Sequence, residues 1–167
     1  MVNDTTGGNR RAGDEITLRV HLAEHRTSVP GAEGEELGVG FKAYLDEART
    51  EEIVEDDRAP VLPGVFYSRV AGVRFHDDSL QLPQFGVGRH VEIRPEPPTA
   101  LDRNGLGVFA DGLRVGYVPE AIADVLAPAG TRIGHGIILM EWSNNGNRLG
   151  IWVLGSMQVA ISVVNGG

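Results

Sequence analysis

From Ile16 the apolar residues Ile16, Leu18, Val20 and Leu22 alternate with Thr17, Arg19 and His21, the period of two that turns one face of a β-strand toward a core. The segment Ser28-Val29-Pro30-Gly31 is expected to end that strand, because Pro and Gly punctuate turns. The period then changes. Between Gly40 and Asp57, Phe41, Tyr44, Leu45 and Ala48 recur at helical spacing, and Ile53 and Val54 follow among seven acidic residues from Asp46 to Asp57. This predicts a short amphipathic helix with an acidic face. Arg58-Ala59-Pro60 and Pro63-Gly64 read as a linker.

Beyond the linker, strand signals dominate. Val65 to Phe75 is an apolar run with Gly72 at its centre, which predicts one strand that bends or bulges at the glycine. Val87 to Ile93 is a second short strand. Gly107 to Ala110 and Arg114 to Val118 flank Asp111-Gly112, a pair that favours the left-handed geometry of a tight hairpin. Pro119 stands where a first helical turn tolerates proline, and Ile122, Ala123, Val125 and Leu126 form one face of a short helix stopped by Pro128 and Gly130. Gly136 to Trp142, a polar turn over Ser143 to Asn147, Leu149 to Leu154 and Val159 to Val164 complete the pattern. Many short strands at regular spacing predict a mainly β (α+β) fold: a small β-barrel with one or two short helices and an N-terminal extension. The expected division is a disordered N-terminus over residues 1–13, an acidic extension over 14–65 and the barrel over 66–167.

Composition narrows the setting. At 167 residues, with 41% apolar side chains, the chain is long enough to bury roughly 68–70% of its unfolded surface in one core. The absence of cysteine removes disulfides, thiolate metal sites and cysteine nucleophiles, and fits a reducing compartment. No apolar run approaches the ~20 residues of a membrane span, and Met1 to Gly13 has no signal-peptide core. A cytoplasmic protein without a membrane partner is expected.

The net charge of −8 at first opposes nucleic-acid binding, which depends on neutralising phosphates. The charge is unevenly placed. Residues 1–65 carry 14 acidic and 7 basic side chains, whereas residues 66–167 carry 9 and 8, and all eight of those positive side chains are arginines. Arginine's planar fork suits phosphate oxygens, so the second part can present a basic face that the total conceals.

Three blocks in order carry a family resemblance. Val70, Gly72, Arg74 and Phe75 form a Val-x-Gly-x-Arg-aromatic run. A loop follows with Glu96, Pro97, Thr99, Asp102, Asn104 and Gly105. Gly116, Tyr117, Val118 and Pro119 then lead into a helix with Ala121 and Ala123. Over about residues 66–155 this order and spacing resembles the HIRAN domain. The resemblance implies an OB-like barrel that binds the 3′ ends of single-stranded DNA without catalysis and without a cofactor. Arg74 would contact phosphate, Phe75 would offer a ring face to a base, and Asp102 would accept a hydrogen bond from the terminal 3′-hydroxyl. His76, Tyr117 and Trp142 would complete the nucleic-acid-binding set. Leu101 stands where the family has an aromatic, and Glu120 stands where a basic residue follows the Gly-aromatic turn. No helicase or nuclease motif is present, so chemistry is expected to reside in a partner helicase or nuclease serving repair, replication or defence.

Competing readings of the same residues stay open at this level. Singly, Phe75 and Tyr117 fit core or barrel-wall positions, and Asp102 and Asn104 fit a turn in which they bond their own backbone. A peptide-binding module on the same barrel agrees with the net charge and with Glu120. His76-Asp77-Asp78 suggests a metal-dependent phosphodiesterase, but no second His/Asp cluster accompanies it. His21 and His25, four residues apart on a strand, would stand about 13 Å apart, too far to share one ion. No metal site is expected. Gly38/Gly40 and Gly86/Gly88 lack the third glycine of a dinucleotide loop.

Overall fold

The computed structural model describes residues 16–31, 34–45, 64–96, 105–126 and 133–164. The first strand, β1 (Ile16–Gly31), is longer than its alternation alone predicts, and pairs antiparallel with β2 (Gly34–Leu45) from Val20↔Leu45 to Gly31↔Gly34. Ser28 to Pro30 therefore does not end the strand but lies within it. Pro30 pairs with Glu35 just before the hairpin tip, the kind of edge position where a strand accepts proline.

The helix expected to begin at Gly40 is replaced, over Gly40 to Leu45, by β2. Residues 46–57 lie outside the described residues. Tertiary pairing overrides the helical spacing here, because β2 is held between β1 and a later strand. Phe41 and Ala43, on the strand's alternating face, pack in the core. A period-two signal was present in Phe41 and Ala43 around Lys42.

The strand β3 (Val65–Arg69) stops earlier than the apolar run predicts. Gly72 adopts φ 74 and redirects the chain into a 3-10 turn over Val73–His76, a left-handed conformation that side chains disfavour. Ala71 and Tyr117 exchange two backbone hydrogen bonds, at 2.7 and 2.9 Å, which fixes the start of this excursion. It continues through α1 (Asp77–Leu80) and a second 3-10 turn at Pro83–Phe85, where Leu80 and Phe85 anchor it in the core.

Three strands follow: β4 (His90–Pro95), β5 (Leu106–Ala110) and β6 (Leu113–Tyr117). Asp111 at φ 53 and Gly112 at φ 80 make the expected left-handed hairpin. In α2 (Glu120–Leu126), the carbonyl of Pro119 accepts from the amides of Ile122 and Ala123. Ala123 and Leu126 are buried and Ile122 packs beside them, but Val125 is 70% exposed, contrary to the predicted face. At 100° per residue Val125 lies well off the stripe formed by the other three.

The chain ends in β7 (Gly134–Asn144), β8 (Asn147–Ser156) and β9 (Val159–Val163). The polar turn contracts to Asn145 and Gly146, both at positive φ. The strands join in the order β6-β5-β4-β7-β2-β1-β9, with β8 pairing both β7 and β3. All pairs are antiparallel except β1 with β9. The fold is a small, mainly β, OB-like domain with two short helices and an N-terminal extension, and the ladders among the described residues do not close into a ring. Two apolar clusters hold it together. Phe66, Phe85, Ile93, Val108 and Ile151 centre the first, and Val20, Ile137, Leu154 and Ile161 the second. The long strand β7 serves both, sending Ile138 to one and Ile137 and Leu139 to the other.

Candidate nucleic-acid interface

The turn that follows Gly72 creates an exposed aromatic edge. None of Val73 to His76 is fully buried, and Phe75 is 73% exposed. The Arg74 guanidinium lies 4.9 Å from the centre of the Phe75 ring, a cation–π contact that keeps a positive charge beside the ring. A single exposed apolar residue is ordinary at a protein surface; what sets Phe75 apart is the guanidinium held beside its ring.

The excursion carrying Phe75 is fastened from below by Arg148 on β8. Its Nη1 donates to the carbonyls of Leu80 at 2.5 Å and Leu82 at 3.1 Å, and its Nε donates to Glu141 at 3.1 Å. Gln81 adds a reciprocal pair with the Arg148 backbone, at 2.7 and 3.0 Å, and donates to Asp77 at 3.2 Å. Arg148 belongs to the arginine-only count that suggested a basic face, yet its role is architectural. Arg94 pairs with Glu92 and Arg114 with Glu96. Arg69 and Arg74 are both exposed and form no ion pair with another described residue.

These two arginines border a groove of about 730 Å³. Its lining runs from Arg69 to Phe75, through Trp152 and Gly150 of β8 and Trp142 of β7, to Val29 and Glu36 of the β1–β2 hairpin on the far side. Register explains how distant residues meet. Gly38 stands opposite Trp142, Trp142 opposite Gly150, and Arg69 opposite Trp152. Trp152 also packs on Tyr67, ring centres 5.3 Å apart.

Arg74, Phe75 and Trp142 are thus brought to one groove. His76 and Tyr117 meet each other instead, with ring centres 6.1 Å apart and edge to face. Neither lines the groove, although Tyr117 packs directly behind Gly72, where an added Cβ would come within 3.3 Å of its ring. Asp102 lies outside the described residues. Sequence reasoning missed Arg69, Trp152, Val29 and Glu36, since strand pairing across the sheet assembles them. Trp152 alone carried a signal, as an aromatic two residues beyond Gly150 on the same strand face.

A second aromatic strip runs over β4, β5 and β6. Arg94 and Arg114 flank the Phe109 ring at 5.2 and 5.4 Å, and Arg114 also lies 5.1 Å from the Tyr117 ring centre. Glu96 neutralises Arg114, which makes this strip a poorer anion site than the groove. For metal chemistry, His76 is engaged with Tyr117 and Asp77 accepts from Gln81. No cluster of His, Cys, Asp and Glu among the described residues is arranged to hold a metal ion.

The HIRAN domain family matches residues 63–149, more than half of the chain. The chain belongs to the HIRAN domain family. That membership makes it a nucleic-acid-binding module and agrees with a binding rather than a catalytic role. No curated protein and no solved structure matches it. Within the HIRAN segment lie the Gly72 turn, Tyr117 and Trp142. The β1–β2 hairpin, Gly150 and Trp152 fall outside it.

Proposed function

We propose that this HIRAN domain binds single-stranded DNA at its 3′ end and delivers that end to a partner enzyme, such as a helicase or nuclease, in repair, replication or defence. The observation that carries the reading is the exposed Phe75 ring capped by Arg74 at the mouth of the groove. Each element suits a single strand. A free ring face stacks on any base for ~1–3 kcal/mol without regard to sequence, and a nearby guanidinium takes a phosphate as a bidentate partner.

End recognition follows from the resemblance of the loop around Asp102 to the family pattern. A carboxylate beside a phosphate backbone is repulsive unless it meets a donor, and a terminal 3′-hydroxyl supplies one. The same carboxylate rejects a 3′-phosphate.

The deciding experiment compares fluorescent single strands ending in 3′-hydroxyl and 3′-phosphate by anisotropy at low salt. The hydroxyl end is expected to bind more tightly, Asp102→Ala to erase the difference, and Arg74→Ala to weaken both. Equal affinity for the two ends would overturn end recognition. No binding at low salt would overturn the single-strand reading.

A further inference from the structure

Most strand glycines in this fold have a visible reason. Gly40 faces the Leu139 carbonyl, Gly116 the Ala71 carbonyl, Gly136 the Val153 side chain and Gly155 the rings and methyls of Phe66 and Ile93, each closer than a side chain allows. Gly34 is at φ 120. Gly38 lies under the Trp142 indole, 2.9 Å from where its Cβ would be.

Gly150 shows no such crowding; it stands at the β-bulge where the β7–β8 register shifts between Trp142↔Gly150 and Ser143↔Arg148. It sits inside β8 without a positive φ, and no heavy atom of the described residues lies within 4 Å of the place a Cβ would occupy. Nothing in the fold forbids a side chain there. What the glycine leaves is open space between Trp142, its cross-strand partner, and Trp152, two residues on along the same face. A strand glycine marks a bulge or close approach by a ligand, and the open space here admits the second along with the first.

We propose that Gly150 floors a second nucleotide subsite, which takes the base of an interior nucleotide between the Trp142 and Trp152 rings. The inference rests on the single-strand reading above and extends the bound strand beyond its end. Charge sets the direction. Arg69 and Arg74 stand on one wall, and Glu36 stands on the other, on β2, with its side chain folded back over Gly31. Phosphates therefore follow the arginine wall and bases turn toward the hairpin, where a carboxylate repels phosphate but accepts from base amino groups. Trp142 lies inside the family-matched segment, whereas the β1–β2 hairpin, Gly150 and Trp152 lie outside it, so the subsite extends from the matched segment onto residues beyond it.

The chain has two tryptophans, and both line the groove, so intrinsic fluorescence reports the subsite directly. Oligodeoxycytidines with a free 3′-hydroxyl, about two and about six nucleotides long, are titrated into the full chain, wild type and Gly150→Leu. Wild type is expected to bind the longer strand about tenfold more tightly and to lose tryptophan emission, the size of one stacked base. Gly150→Leu is expected to keep the dinucleotide affinity and the melting temperature while losing the gain with length. Trp152→Leu, a second variant independent of how leucine packs at position 150, is expected to lose the same gain. An unchanged longer-strand affinity in both variants overturns the subsite and leaves end binding intact, as does an equal loss at both lengths. Failure of wild type to bind either strand overturns the subsite together with the reading beneath it.

Discussion

Arg148 reaches from β8 to the carbonyl of Leu80 at 2.5 Å, so the strand that floors the groove also holds the excursion that borders it. The contact joins stability to binding through one side chain. Arg148 is itself absent from the groove lining.

Replacing Arg148 with alanine removes charge-assisted bonds to two carbonyls and leaves Glu141 without its cation. Bonds to charged groups contribute about 1.5–3 kcal/mol. Arg148→Ala is expected to cost about 2–3 kcal/mol in urea unfolding, and to weaken single-strand binding under conditions where the variant is still folded. Full stability would show that the excursion is held by Leu80 and Phe85 alone.

Phe75 offers the opposite case. At 73% exposure its ring contributes little to the core, so Phe75→Ala is expected to leave the melting temperature within about a degree while reducing single-strand affinity by roughly five- to hundredfold, the range for one stacked base. Calorimetry and anisotropy on the same preparation measure both. A drop in stability with unchanged affinity would return Phe75 to a packing role.

Salt dependence separates Arg69 and Arg74 from the paired arginines. Each phosphate contact on a single strand contributes about 0.7 to the slope of log K against log salt. Arg69→Gln and Arg74→Gln are each expected to flatten the slope by about that amount. Arg94→Gln, which removes the partner of Glu92, is expected to leave it unchanged. Titrations at several salt concentrations check this.

Gly72 combines two constraints: φ 74 and the Tyr117 ring 3.3 Å from a Cβ site. Left-handed backbone costs an L-residue roughly 1–2 kcal/mol. Gly72→Ala is expected to destabilise by about that much, and to weaken single-strand binding because the turn that presents Arg74 and Phe75 shifts. Wild-type stability in a denaturant titration would argue against both constraints.

The hairpins were the most legible elements. Asp111-Gly112 and Asn145-Gly146 dictate their turns through residues that accept positive φ, and the alternation in β1 is local. Over Gly40 to Leu45 a strand replaces the expected helix, because Phe41 and Leu45, four residues apart, fit one face of a helix and one face of a strand alike, and only pairing with β1 and β7 decides between them. At the site, Arg74 and Phe75 were visible as a motif. Arg69, Trp152, Val29 and Glu36 were not, because cross-strand register brings them together and register is a property of paired chains. Arg148 was misjudged for the same reason, since its partners Leu80 and Leu82 lie more than sixty residues away.

The sequence by itself determined the β-rich character, the positions of the tight turns, the separation of acidic from arginine-bearing segments, and the ordered blocks of the HIRAN family. These depend on neighbours within a few residues, where propensity, alternation and φ preference act. Tertiary structure alone decided which arginines are spent on ion pairs and backbone carbonyls and which stay open to a ligand, and that the N-terminal hairpin walls the groove. It also decided that Gly150 leaves space between two tryptophans. Those outcomes depend on which strands pair and in what register, and that follows from burying two clusters at once on the two faces of β7.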